Sequence, residues 1–304
     1  MTFSVVRPQS GARVGRWKVG LGLGLGLALV TGFSLLVSGT ARVGEQAGAS
    51  PIATLAVRDV HALVISPESA DHVLFGHHDG ILESRDGGRR WRPLPTSPRQ
   101  DAMSLTPPRA DGGAQYLAGH EVFLKSTDGG KSWQPVASDL PGLDIHAFAQ
   151  SPTDPQRLYA YVVGHGFFRS DDGGERWQLI NPRQGSFTAL AIIPGPPERL
   201  LAAASGLAVY VSDDGGKTFV PKTDGIFGLV FALAVHPHRP EVVYAGASNG
   251  LYRSEDGGER WQRIGLEGIP VAAIAIAPSR PDVVMAVDRE RRVYRSEDGG
   301  RTWG

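Results

Sequence analysis

The chain has 304 residues, no net charge and no cysteine. The balanced charge removes any broad electrostatic ground for binding nucleic acid or an acidic lipid surface. The missing thiols exclude disulfides, thiolate metal sites, cysteine nucleophiles and a lipid-modified cysteine. Forty glycines and 22 prolines set against 41% apolar residues predict many turns around short core strands, an all-β composition.

The chain opens with a basic segment, residues 1–18, carrying Arg7, Arg13, Arg16 and Lys18. An uncharged run over 19–37 follows, long enough to cross a bilayer as one helix. The positive flank is expected to stay in the cytoplasm and send the remainder outside. The run reads either as a retained transmembrane anchor or as a signal peptide cleaved near Ala47-Gly48-Ala49. The expected location is therefore the cell membrane, single-pass, or the secreted or periplasmic space after cleavage. Residues 38–50 are small and polar and read as a linker.

From residue 51 onward one pattern recurs. It is Ser84-Arg85-Asp86-Gly87-Gly88 with Trp91, Ser126-Thr127-Asp128-Gly129-Gly130 with Trp133, and Ser170-Asp171-Asp172-Gly173-Gly174 with Trp177. It returns as Ser212-Asp213-Asp214-Gly215-Gly216 with Phe219, Ser254-Glu255-Asp256-Gly257-Gly258 with Trp261, and Ser296-Glu297-Asp298-Gly299-Gly300 with Trp303. The serines are 42, 44, 42, 42 and 42 residues apart. Each period holds an apolar strand ending at proline, a second strand, a polar loop, a third strand, the Asp-Gly-Gly turn and an aromatic that opens a fourth strand. Four short strands in about 42 residues make a propeller blade.

The glycines supply the positive φ of a tight hairpin. The Asp carboxylate and Ser hydroxyl are placed to bond the turn, and the aromatic is expected to pack between blades. The last repeat reaches Trp303 where its fourth strand should begin, while residues 52–57 supply an extra strand before the first inner strand, 61–66. The predicted fold of residues 51–304 is thus a six-bladed β-propeller of four-stranded antiparallel blades, closed by strand 52–57 and preceded by one hydrophobic helix. Closure removes two aggregation-prone edges.

The repeated turns resemble Asp boxes, the bacterial neuraminidase repeats. The chain is most similar to bacterial sialidase-like and glycosyl-hydrolase-like propellers, which are related to sortilin-type receptor domains and photosystem II assembly factors. His61 and the loop Gly76-His77-His78-Asp79-Gly80 carry part of the likeness. The resemblance implies that the boxes are structural and lie away from any site. A sialidase of this kind would also need an arginine triad, a Tyr–Glu nucleophile pair, an acid/base Asp and a Phe/Tyr-Arg-Ile-Pro motif. The motif is missing, since Arg263-Ile264 is followed by Gly265. Most arginines, such as Arg89, Arg90, Arg176, Arg260 and Arg301, flank the boxes. Arg58, Arg99, Arg183, Arg289, Arg291 and Arg292 form no recognisable triad.

Loops joining strand four to one and strand two to three share the face opposite the boxes. Aligning blades on the proline that ends each inner strand (Pro67, Pro107, Pro152, Pro194, Pro237, Pro278) puts His61, Asp101, His146, Thr188, Phe231 and Ala272 at one position. The second loops carry His77-His78-Asp79, His120-Glu121 and His165 in blades 1–3, but Ser205-Gly206, Ser248-Asn249 and Asp288-Arg289-Glu290 in blades 4–6.

One half of this face is therefore rich in imidazole and carboxylate. Such groups suit Zn²⁺ or a similar divalent metal, with His61, Asp101 and His146 as candidate ligands. They also suit acid–base work near neutral pH, and Asp59 with Asp101 or Asp144 are candidate carboxylate pairs. The bland alternative is that these histidines are loop residues facing solvent. His72, His236 and His238 fall on the box side and receive no role. The leading expectation is a binding module for a protein, glycan or small ligand. The alternative is a glycoside hydrolase or metal-assisted hydrolase using the His/Asp half of the face.

Overall fold

A computed structural model describes residues 48–109, 111–182, 186–204 and 209–304. The predicted basic segment, the apolar helix and nearly all of the linker lie outside these residues, as do Arg183, Ser205 and Gly206. Among the described residues no helix occurs, so none is long and apolar enough to cross a membrane.

Six antiparallel sheets of four strands form the ring. The inner strands are Leu63–Ile65, Ser104–Leu105, Ile145–Gln150, Phe187–Ile193, Val230–Val235 and Val271–Ile276. Second strands such as Val73–His77, Leu158–Val162 and Val284–Asp288 are buried along their whole length. Both of their faces are covered by neighbouring blades, so they read as continuous apolar runs rather than alternating ones. Fourth strands such as Arg92–Pro93 and Gln134–Pro135 lie at the rim and are exposed.

The core divides into apolar clusters, each straddling two adjacent blades. Phe75 of blade 1 meets Met285 and Val293 of blade 6. Val64 and Leu74 of blade 1 meet Leu105 and Leu117 of blade 2. Tyr116 and Phe123 of blade 2 meet Phe148 and Leu158 of blade 3. The pattern continues with Phe167 and Phe187, Leu201 and Val243, and Tyr244 and Val284 at the remaining junctions. Each box aromatic joins the cluster it shares with the preceding blade, as Trp177 does against Phe123 at 6.0 Å between ring centroids. An aromatic side chain buries roughly 150–250 Å², so these rings contribute heavily to each junction.

The ring is closed by the N-terminal strand. Ala53 pairs with Val293 and Thr54 with Arg292, completing the sixth blade. Backbone bonds from Ile52 N–H to Val293 O (2.8 Å) and Leu55 N–H to Arg291 O (2.9 Å) extend the pairing. The regular strand is thus the central part of the predicted 52–57 segment.

The Asp boxes share one geometry. In the third, Ser170 Oγ donates to Asp172 Oδ1 (2.9 Å) and accepts Gly174 N–H (2.9 Å). Asp172 Oδ1 also accepts Arg176 N–H (2.9 Å), and Trp177 Nε1 donates to Gly174 O (2.8 Å). The second glycine is required twice over. Gly88 has φ +89°, and a Cβ there would run into Met285 Cε of the preceding blade.

The strand register differs from the proline-anchored alignment in blade 2. Leu63 pairs with Phe75, Leu105 with Leu117 and Phe148 with Ala160, which places these inner-strand residues at one ring position. Met103, not Asp101, therefore stands level with His61 and His146. Asp101 stands level with Asp59 and Asp144. The cause is Pro107, which falls two positions early. Proline has no N–H for the ladder, so the strand stops at Leu105.

Candidate functional site: an aspartate and histidine arc

Asp59, Asp101 and Asp144 each precede the inner strand of their blade, on the face opposite the boxes. His78 and His120 occupy the turn between strands two and three. The fold ties the two loops together within a blade. Asp59 Oδ1 accepts His78 N–H (3.0 Å), and Asp101 Oδ2 accepts His120 N–H (3.1 Å). The same carboxylates hold the rings, with His78 Nδ1 2.5 Å from Asp59 Oδ2 and His120 Nδ1 2.5 Å from Asp101 Oδ2. In blade 3 the turn instead donates to the backbone, Val163 N–H to Asp144 O (2.9 Å), which leaves the Asp144 carboxylate to His146 Nε2 at 3.0 Å.

Contacts between blades make these pairs continuous. His78 Nε2 lies 3.9 Å from Asp101 Oδ1, and His120 Nε2 lies 3.8 Å from Asp144 Oδ1. His61 stands behind the first two, its Nε2 3.3 Å from Asp59 Oδ1 and 3.6 Å from Asp101 Oδ1. Neighbouring rings touch throughout: His61 and His78 edge-to-face at 4.5 Å, His78 and His120 stacked at 5.9 Å, His120 and His146 edge-to-face at 5.1 Å. The result is an arc of alternating carboxylate and imidazole over three blades.

Two atoms of this arc, His61 Nε2 and Asp101 Oδ1, are buried with no hydrogen-bond partner among the described residues. Buried polar atoms are ordinarily satisfied, and each such exception calls for an explanation. Three sets of side chains are close enough to share an ion: Asp59, His61 and His78; His78, Asp101 and His120; His120, Asp144 and His146.

The local electrostatics follow from burial and pairing. Burial pushes the His61 ring below the ordinary histidine value, against the opposing pull of Asp59 and Asp101. His78 is raised, chiefly by its bond to the Asp59 carboxylate. Burial alone would raise Asp59, but the ring and backbone N–H groups of His78 outweigh it and hold the carboxyl low. Glu121, directly after His120, has φ +56°. A non-glycine residue in the left-handed region costs of order 1 kcal/mol or more, and such strain gathers at functional turns.

The structure thus brings together His61, His78, Asp101, His120 and His146 of the predicted site residues, with Asp59 and Asp144. It separates His146 from His61, so the candidate metal trio of His61, Asp101 and His146 is not one cluster. His77 is buried, and its Nδ1 accepts Asp79 N–H (3.2 Å). His165 is exposed and packs beside Gly142 instead. In the second loop of blade 6, Asp288 is fully buried and bound by Arg292 and Tyr294, so it is structural. Sequence reading treated Asp59 and Asp144 only as acid pairs. Their signal was the Asp-x-His of blades 1 and 3, with Asp59, Asp101 and Asp144 a blade apart.

The other half of this face carries an exposed apolar patch. Phe227 is 67% exposed and Leu229 41%, and Leu229 occupies the ring position of Asp59. Phe231 lines the mouth of the central channel under the Arg289 guanidinium, 5.3 Å from its ring centroid. That mouth is narrow, a cavity of about 140 Å³ bordered by His61, Met103, Thr188, Phe231 and Ala272. A larger cavity of about 430 Å³ opens at the box-side end, lined mainly by aliphatic side chains and the prolines Pro107, Pro152, Pro194, Pro237 and Pro278. His61 of the Asp and His arc borders the narrow end.

Residues 52–180 match the family model described as photosynthesis system II assembly factor YCF48. Residues 207–304 match that of sortilin, neurotensin receptor 3. No curated protein matches the chain significantly. Among solved structures, the GH74 enzyme of Niastella koreensis is similar at 17% identity and TM-score 0.56, over 81% of this chain and 46% of that one. The chain therefore spans about half the length of that hydrolase. YCF48 from Cyanidioschyzon merolae is similar at 18% identity and TM-score 0.52, over 85% of this chain and 88% of that one. A structure of YCF48 bound to D1 peptide gives 18% identity and TM-score 0.53, over 84% and 82%. At these identities the likeness is one of fold, and it identifies a BNR-like β-propeller.

Proposed function

We propose that this BNR-like propeller is a binding module that works outside the cytoplasm, anchored or exported through residues 19–37, and that it captures a protein segment on the face opposite the Asp boxes. The observation that carries the reading is the division of that face. An arc of half-buried and exposed Asp and His groups faces an exposed apolar patch, Phe227 and Leu229, across the narrow channel mouth. A peptide supplies both complements: polar groups for the Asp and His arc, and an apolar side chain for Phe227. Fully burying one large apolar side chain contributes about 1.5–3 kcal/mol. The peptide-bound YCF48 structure supports the reading as a precedent for peptide capture by a propeller of similar fold.

The carboxylates are poorly matched to glycoside hydrolysis. A general acid needs a raised pKa. Asp59 is instead lowered, and Asp101 is committed through Oδ2 to both the ring and the backbone of His120.

The test is selection of peptides from a display library on the purified protein, followed by binding to variants. Selected peptides should lose at least tenfold in affinity to Phe227→Ala and to Asp101→Asn, and be unchanged with Arg301→Ala on the box side. Peptides indifferent to both rim substitutions would overturn the proposal. So would turnover of chromogenic glycosides that disappears with Asp101→Asn.

A further inference from the structure

We propose that His61, His78 and Asp101 bind a divalent transition-metal ion, with Zn²⁺ the best match, at the junction of blades 1 and 2. The inference rests on the reading that this face is the functional one, but it concerns an ion rather than a peptide. Asp101 Oδ1 lies 3.6 Å from His61 Nε2 and 3.9 Å from His78 Nε2, so it bridges the set of Asp59, His61 and His78 and the set of His78, Asp101 and His120. Two ligands on a tetrahedral zinc with bonds near 2.0–2.1 Å stand about 3.3 Å apart. The observed separations, 3.6 and 3.9 Å, are too long for hydrogen bonds and exceed that spacing by about 0.3 and about 0.6 Å. His61 Nε2 and Asp101 Oδ1 are also buried and unpartnered among the described residues.

The surroundings of His78 and Asp101 match a metal site's outer layer. A ligating imidazole ordinarily donates its second N–H to a carboxylate, which fixes its tautomer and direction. His78 does so through Nδ1 to Asp59 Oδ2 at 2.5 Å, leaving Nε2 toward Asp101. The ligating carboxylate is itself held, with Asp101 Oδ2 accepting the His120 ring and backbone. Imidazole nitrogen with carboxylate oxygen and no thiolate suits a borderline ion. His78 is about half exposed, so the remaining coordination position faces the solvent at the channel mouth. A carboxylate or carbonyl oxygen of a bound ligand fits there. His146 and Asp144 take no part, since they pair with each other at 3.0 Å on blade 3.

The measurement is calorimetric titration of the untagged full-length chain with ZnCl₂, alongside visible absorption on adding Co²⁺, with no peptide present. One equivalent of Zn²⁺ should bind, and Co²⁺ should give the intense d–d bands of a tetrahedral site. His61→Ala and Asp101→Asn should each lower affinity at least 100-fold. Asp59→Asn, which removes only the orienting group, should lower it about 10–100-fold. His165→Ala should leave it unchanged. Circular dichroism confirms the fold of each variant, and the near-isosteric Asp101→Asn decides the matter if His61→Ala does not fold. Absence of saturable Zn²⁺ binding, or binding indifferent to Asp101→Asn, overturns the metal site and leaves peptide capture standing. Loss of peptide binding with the metal titration intact does the reverse.

Discussion

The six-fold turn shows how much one hydroxyl can do. Each box serine lies almost fully buried, and its Oγ accepts a glycine N–H while donating to the Asp carboxylate. Replacing Ser170 by alanine leaves Gly174 N–H unsatisfied in a buried turn. Such a loss costs about 1–3 kcal/mol, so Ser170→Ala should lower the unfolding free energy by that amount, read as a lower urea midpoint at unchanged slope.

The box carboxylates also set an acid limit. Hydrogen bonds from the Ser132 hydroxyl and backbone hold Asp128 at about 2. Asp298 also falls to about 2, where the Thr302 N–H and hydroxyl outweigh burial. Asp86, Asp172, Asp214 and Asp256 shift the same way. Because the folded values lie below the ordinary 3.8, the unfolded chain binds protons first. The stabilisation is complete above about pH 4 and is lost as pH falls toward about 2. Fluorescence of the box tryptophans should report unfolding in that window, and a protein fully folded at pH 2 would contradict the account.

These turns were readable residue by residue because every contact is local. The arc was not. His77 and His78 are adjacent, yet only the paired strands show that His77 ends the second strand and is buried while His78 opens the turn and is exposed.

Among elements, the closing strand carries the most weight for its length. Only Ala53 and Thr54 are in regular pairing, but Leu55 beside them is buried in the cluster shared by blades 6 and 1. Leu55→Ala should cost about 2–5 kcal/mol, the range for a buried leucine, measured by urea unfolding. A conservative change at the neighbouring exposed Thr54 should cost far less.

A second device fastens the same seam. Arg295, nearly buried, donates to Ala70 O and Asp71 Oδ1 of blade 1, both at 3.0 Å. The closing strand was legible from where the repeats begin and stop. The register of blade 2 was not, because Pro107 ends its inner strand early and breaks the landmark shared by the other blades. With that landmark displaced, Met103 exchanged places with Asp101 in the alignment.

At the scale of the whole molecule, blades are not independent units. Each apolar cluster belongs to two blades at once, so a lone blade would expose half of two cores. The propeller should therefore unfold in a single urea transition, coincident by circular dichroism and tryptophan fluorescence. Two resolved transitions would show that some junction is weak enough to part. The period of about 42 residues made the ring legible from sequence. The chemical asymmetry of its upper face was visible only as a tally of histidines, and the strand register was needed to turn that tally into neighbouring atoms.

The seam joining the first blade to the last also dictates an order of events during synthesis. Arg295 reaches back 225 positions to Ala70, and Val293 cannot receive Ala53 until nearly the whole chain has emerged. The earliest blade must therefore wait, one flank bare, while the others are made. Loops of that span close slowly, which makes circularisation the step at which a nascent chain is most exposed to capture by a neighbour.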